Sequence, residues 1–323
     1  MKPHRIRAAA LLTAAALALT AACAAPDGGG TRPAAAGGGT EPKIPTTDVT
    51  TDVKKDPAAA ELLPAEVRTR GTLTLAASVG GSPPGAAYLP DGKTVAGQDI
   101  DFANAVGKVL GLRLKREVAS FEAILPALGS GKYDLGTGNF GVTRERKQTI
   151  DFVTYINDGQ GFAVREDSPL KKVTDLTQLC GRTVATSAGT TFETTLERHR
   201  THCAAAGKKP YEVKTYADQG ALWISLRQGR SDVVMSTING LRYAVRQQEG
   251  LRFLNEYQRL DVGFAFKKGS DLTPAFRAAV NRLQKDGTYD RILKKWGTEG
   301  SAIDASRINP PAQGREAARH RPA

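Results

Sequence analysis

Cysteine and histidine are the side chains best suited to chemistry at neutral pH, and this chain has few of either. Its 323 residues hold three cysteines and four histidines. No C-x-x-C pair occurs. His199, His202 and Cys203 stand close together as H-x-x-H-C. On a helix that spacing offers two metal ligands, but a tetrahedral site needs more. No metal and no cofactor is therefore expected, and the pattern reads as a solvated helix face. General acid–base catalysis finds few histidines either: His4 falls in the N-terminal leader, His320 near the C-terminus, and the other two on one helix. Lysine plus arginine minus aspartate plus glutamate is 45 − 33 = +12. Lys2, Arg5 and Arg7 carry part of that excess, and the last dozen residues carry more. The middle of the chain is mildly basic, with no cationic stripe interleaved with aromatics, so nucleic acid is not an expected partner. A charged fraction of 24% and an apolar fraction of 40% exclude a disordered chain and a membrane bundle.

The N-terminus reads as an address. Lys2, Arg5 and Arg7 precede an apolar run over 8–22, too short to span a bilayer stably, so 1–22 is expected to be a signal peptide. No later segment approaches a membrane-spanning length, and the chain is read as exported. Leu19-Thr20-Ala21-Ala22-Cys23 resembles a bacterial lipobox, which implies acylation of Cys23 and an anchor on the outer face of the cell membrane. Ordinary cleavage among the alanines is the alternative. Residues 23–65, rich in Ala, Gly, Pro, Thr and Asp, read as a flexible tether. Once Cys23 is acylated, Cys180 and Cys203 remain. An even pair in an oxidising compartment favours one disulfide, closing a loop of about 24 residues that contributes about 3 kcal/mol. Two buried thiols are the alternative.

Elements that could position a site follow from periodicity. Thr72-Leu73-Thr74-Leu75-Ala76 reads as a strand, 101–110 as a helix stopped by Gly111, 113–118 as a strand and 121–128 as a helix closed by glycine. The alternation argues for an α/β protein with a mostly parallel sheet. Two internal echoes divide it. Leu128-Gly129-Ser130-Gly131-Lys132-Tyr133-Asp134-Leu135 reappears as Leu226-Arg227-Gln228-Gly229-Arg230-Ser231-Asp232-Val233, and Gly161-Phe162-Ala163-Val164 reappears as Gly263-Phe264-Ala265-Phe266. The first suggests two lobes built alike, and the second reads as the pair of connectors between them. Lobe 1 is expected over 66–164 and 262–300, lobe 2 over 165–261, and a disordered tail over 301–323. Two lobes joined by two strands leave a cleft, a favoured place for a small ligand.

Three stretches resemble the bacterial extracellular solute-binding proteins of the polar amino-acid class, the receptors of ABC importers. They are Gly97-Gln98-Asp99-Ile100-Asp101-Phe102, the run from Phe121 through Thr143-Arg144-Glu145-Arg146-Lys147 to Ile150-Asp151-Phe152, and Asp286-Gly287-Thr288-Tyr289-Asp290 with Lys294-Lys295-Trp296-Gly297. The similarity spans roughly 70–298. It implies a type II periplasmic-binding-protein-like α/β fold: two α/β lobes, two crossover strands and a ligand cleft.

The resemblance also implies a site. Arg146 matches the arginine that grips an α-carboxylate, a task its planar fork suits, and Thr143 can cap its short helix. Arg144 and Lys147 read as solvated. Asn139 and Gly141 match the ligand-facing strand end, and Phe121 an aromatic that packs on the ligand. Thr190 and Thr191 match a helix start whose free N–H groups suit an anion; a plain N-cap is the coexisting reading. Three places depart from the family pattern. Gly141 stands where a serine or threonine hydroxyl is common, and two more bear on the ligand. Thr237 stands where an aspartate usually holds the α-ammonium. Ser78 and Gly81 stand where the first strand usually carries an aspartate and an aromatic wall. Asp99 and Asp101 are not obvious replacements. The implied protein is an extracytoplasmic, lipid-anchored and monomeric receptor. It would capture an amino acid or similar small carboxylate-bearing solute and deliver it to an ABC permease without chemistry. A ligand sensor without transport and an extracytoplasmic dehydratase on the same fold are the alternatives.

Overall fold

The repeated aspartate has the same task at both of its positions. Asp134 accepts the backbone N–H of Thr74 at 2.7 Å, and Asp232 accepts that of Thr183 at 2.8 Å. Each carboxylate ties the turn after a helix to the first strand of its lobe, and Gly131 (φ +78°) and Gly229 (φ +71°) make those turns in the left-handed region. The computed structural model describes residues 44–81 and 83–311.

Lobe 1 opens with α1 (Pro57–Glu61), α2 (Ala65–Arg70) and β1 (Thr72–Ala77). A small hairpin, β2 (Ala87–Tyr88) with β3 (Val95–Ala96), leads to α3 (Gln98–Leu110), β4 (Arg113–Val118), α4 (Phe121–Gly129) and β5 (Leu135–Gly141). The long strand β6 (Ile150–Arg165) crosses into lobe 2. There follow β7 (Thr183–Ser187), α5 (Thr191–His199), α6 (His202–Ala205), β8 (Glu212–Tyr216), α7 (Gln219–Arg227), β9 (Val233–Thr237) and α8 (Ile238–Gln247). Strand β10 (Leu251–Lys267) returns to lobe 1, where α9 (Thr273–Lys285) and α10 (Thr288–Trp296) complete it.

Eight strands form one sheet in the order β4-β1-β5-β10-β6-β9-β7-β8. Its two halves mirror each other. In each, three mutually parallel strands meet one antiparallel strand, β10 in lobe 1 and β6 in lobe 2. The largest apolar core packs α3, α9 and α10 around Phe102, Phe264 and Phe276. In lobe 2, Cys180 and Cys203 form a disulfide and both join the apolar cluster around Leu179 and Tyr211.

Three boundaries differ from the sequence reading. The expected tether over 23–65 ends earlier, because 44–65 lie on lobe 1. Ile44, Val49 and Val53 pack on its core, Lys108 donates to the Thr50 carbonyl at 2.8 Å, and Leu63 is buried. A composition poor in apolar residues hides this, since three or four of them suffice to cover a helix face. The expected tail also begins later. Residues 307–309 lie along β6, with Thr154 N–H donating to the Arg307 carbonyl, Phe152 N–H to Asn309 Oδ1 at 2.9 Å, and Val153 bridging Ile308. Strand β9 pairs with β6 only over 160–164, so the lobe 1 half of that edge would otherwise be bare. Finally, the lobes do not part at 165 and 262. Residues 160–164 pair with β9 and belong to lobe 2, while Val262, Gly263 and Ala265 pair with β5 in lobe 1. The crossovers are therefore 157–159 and 259–261, inside two long strands. The expected signal peptide, Cys23 and residues 312–323 lie outside the described residues.

Candidate functional site

Between the lobes lies a cavity of about 270 Å³. The eight residues singled out from the sequence all line it: Ser78, Phe121, Asn139, Gly141 and Arg146 from lobe 1, and Thr190, Thr191 and Thr237 from lobe 2. They arrive from the C-terminal ends of parallel strands and from the helix starts that follow, the usual place for a ligand in such sheets.

Arg146 opens a single 3-10 turn, Arg146–Gln148. Its backbone N–H donates to Thr143 Oγ1 at 3.1 Å, which caps the turn and holds the side chain toward the cleft. The guanidinium donates from Nη1 to the Gly141 carbonyl and from Nη2 to the Gly189 carbonyl, both at 3.2 Å. Gly141 is in lobe 1 and Gly189 in lobe 2, so this one side chain spans the cleft. It lies 5.7 Å from the ring centre of Phe121, which in turn stacks on Phe140 at 4.8 Å. Desolvation pushes its pKa down to about 10, against the opposing pull of Glu145, so it stays cationic at neutral pH. The arrangement offers a planar, partly dehydrated cation above an aromatic ring.

Thr190 is the N-cap of α5. Its Oγ1 accepts from Glu193 N–H at 3.3 Å and donates to the Ser187 carbonyl at 2.6 Å. Glu193 reaches back to the Gly189 N–H at 2.7 Å. That helix start is therefore less open to an anion than the sequence implies, because a carboxylate of its own helix already occupies one of its N–H groups. Thr191 turns its carbonyl to Gln160 Nε2 at 3.1 Å. Thr237 is likewise an N-cap, accepting from Gly240 N–H at 3.0 Å. The missing aromatic wall beside Ser78 has a counterpart across the cleft, where Tyr216 and Trp223 of lobe 2 line the cavity.

The family model for bacterial extracellular solute-binding proteins, family 3, matches residues 75–299. The chain belongs to that family. The arginine-binding protein ArgT of Corynebacterium glutamicum is 31% identical over 261 residues, covering 78% of this chain and 83% of its own. A solved ancestral arginine-binding protein bound to arginine is 30% identical with a TM-score of 0.63, covering 70% of this chain and 98% of its own. The ancestral amino acid-binding protein AncCDT-1, a precursor of cyclohexadienyl dehydratase, is 26% identical with a TM-score of 0.63, covering 72% of this chain and 97% of its own. These relatives are binding proteins. Solute-binding proteins of this family work outside the cytoplasm, and no described helix is long and apolar enough to cross a membrane.

Two cavity carboxylates were not assigned to the site from the sequence. Asp99 and Asp158 both line the cleft and both are buried. Asp99 accepts the Tyr155 hydroxyl at 2.8 Å. Asp158 accepts Asn139 Nδ2 at 2.9 Å and the Asn239 N–H at 3.2 Å. Burial pushes each pKa up to about 6, against the hydrogen bonds that favour the charged forms. A signal existed for Asp158: Asn157-Asp158-Gly159-Gln160 is a polar run in the middle of a mostly apolar strand. Among the described residues no group of three or more His, Cys, Asp and Glu could hold a metal ion; the His199 and His202 rings lie 5.1 Å apart.

Proposed function

We propose that this chain is the receptor of an amino-acid ABC importer, held to the membrane by a lipid on Cys23 and acting as a monomer. An amino acid enters the open cleft and lays its α-carboxylate on Arg146 and its side chain against Phe121. Asn139 and Gly141 contribute backbone groups, and Thr190, Thr191, Thr237 and Ser78 complete the wall. Lobe 2 then closes, and the closed form docks on the permease. The observation that carries this reading is the guanidinium of Arg146, dehydrated inside the cavity and bonded to a carbonyl of each lobe. The solute class is drawn from the arginine-binding relatives and from the cavity itself, where Asp99, Glu122 and Asp158 outnumber the single cation Arg146. A basic amino acid balances that wall best.

The test is a thermal-shift and calorimetric screen of the twenty amino acids with ornithine and citrulline. A basic amino acid should raise the melting temperature most, as linkage requires, and Arg146→Ala should abolish the shift. Binding by the wild type that survives Arg146→Ala would reject the role given to that residue. The dehydratase alternative has one feature in its favour, two cleft carboxylates poised near neutrality. Recovering the bound compound unchanged after prolonged incubation would dismiss it.

A further inference from the structure

We propose that Asp158 is the carboxylate that receives the ligand's α-ammonium, from a place on the crossover strand. The proposal rests on the reading of the cleft as an amino-acid site. An ammonium taken out of water needs a charged acceptor, because a neutral one does not repay its desolvation. The resemblance puts that acceptor at the end of β9, where this chain has Thr237. The Thr237 hydroxyl carries no charge and is already the cap of α8, accepting Gly240 N–H at 3.0 Å.

Asp158 lies next to that helix start. Residue 160 of its strand pairs with Thr237, and Asn239, in the first turn of α8, donates its N–H to Asp158 Oδ1 at 3.2 Å. The other oxygen receives Asn139 Nδ2 from lobe 1 at 2.9 Å. One bond thus arrives from each lobe, the Gly159 N–H of its own strand adds a third, and all three donors are neutral. Arg259, the cation that acts on Asp158 through space, is held elsewhere: it grips Glu256 at 2.8 and 2.9 Å and the carbonyls of Asn157 and Gly300 at 3.0 and 3.1 Å. The carboxylate is fully buried against the cavity and, among the described residues, forms no salt bridge. Beside it, Asn139 leaves its Oδ1 buried and without a hydrogen-bond partner, although that residue lines the cleft and holds a left-handed φ of +56°. A charged oxygen and an orphan amide oxygen together make a receptor for N–H donors. The strand is held there closely: a Cβ on Gly159 would collide with the Gln258 carbonyl.

Asn239 orients the carboxylate and is in turn fixed from outside the cleft. Its Nδ2 donates to Ser301 Oγ at 2.9 Å, and Ser301 Oγ donates back to its Oδ1 at 3.2 Å. Asn239 and Ser301 are positioning residues in this scheme.

The experiment measures calorimetric affinities for L-arginine and for 5-guanidinopentanoate, which is arginine without its α-amino group. Should the screen rank another amino acid first, that one and its α-deamino acid replace them. Wild type should prefer the amino acid by about 100-fold. Asp158→Asn should lose about 100-fold for the amino acid and stay within about 3-fold for the analogue, so the preference collapses. Asp158→Glu, which keeps the charge, should restore part of it. Asp99→Asn removes a buried carboxylate from the same wall and should keep the ratio. Equal losses for both ligands in Asp158→Asn would mark a hinge role and overturn the proposal, as would a ratio that collapses in Asp99→Asn instead. A variant that fails to fold moves the decision to the wild type, where equal affinities for the amino acid and its α-deamino analogue overturn the proposal. Wild type that binds no amino acid would reject the amino-acid reading itself, and this proposal with it.

Discussion

Arg146 has to be arginine for a geometric reason. Its fork bonds carbonyls on two lobes at once while lying over Phe121. A lysine offers one point charge and cannot span both. Arg146→Lys is expected to weaken amino-acid binding by at least about 10-fold, and Arg146→Ala by roughly 3–5 kcal/mol, the cost of leaving a desolvated carboxylate unpaired. Calorimetry on the folded variants checks both. Much of this residue was readable in the chain, because Thr143 and Arg146 sit three apart and form a local cap. Thr190 and Thr237 were readable only in part: both lie at the cleft, but their hydroxyls cap helices. For Asp158 the chain showed only a polar run within a strand, since its burial and its place at the cleft depend on Asn139 and Asn239, 19 and 81 positions away.

At the scale of elements, the strands and helices over 72–128 follow their apolar periods closely, whereas the segments that flank the globule do not. Residues 307–309 cover an edge of β6 that β9 leaves open. Deleting 302–323 is therefore expected to lower the melting temperature and to promote association through the bared edge, read by calorimetry and light scattering. In lobe 2 the Cys180–Cys203 bond closes a loop across a sequence separation of 23 residues. Replacing both cysteines by serine should cost about 3 kcal/mol by loop entropy. Hydrogen exchange should place the loss in lobe 2 and spare lobe 1.

The molecule as a whole stores unpaired charge in its cleft. Asp99 and Asp158 have folded pKa values near 6, above the ordinary 3.8, because burial disfavours the charged form. Between about pH 4 and pH 6 the folded chain then holds more protons than the unfolded one, so stability falls as pH rises through that window. The unliganded protein is expected to melt higher at about pH 5 than at about pH 7.5, by up to about 1.4 kcal/mol per pH unit for each proton taken up. A bound cation favours the ionised carboxylates, so affinity for a basic amino acid should rise over the same interval. Calorimetry with and without ligand measures both slopes, and the double variant Asp99→Asn, Asp158→Asn should flatten them. The Glu145–Arg198 pair joins the lobes at 3.8 Å, but both side chains are exposed and the pair contributes little to closure.

The chain alone determined the elements over 72–128, the doubled lobe plan and the local setting of Arg146. Those features rest on signals within a few residues of one another: apolar period, glycine after a helix, a hydroxyl three residues before an N–H. Tertiary structure decided where the lobes part, which flanking segments join lobe 1, and which carboxylates face the ligand. Each of these depends on partners far apart in the chain, and the energy of a buried charge is set by what surrounds it, not by its neighbours in sequence.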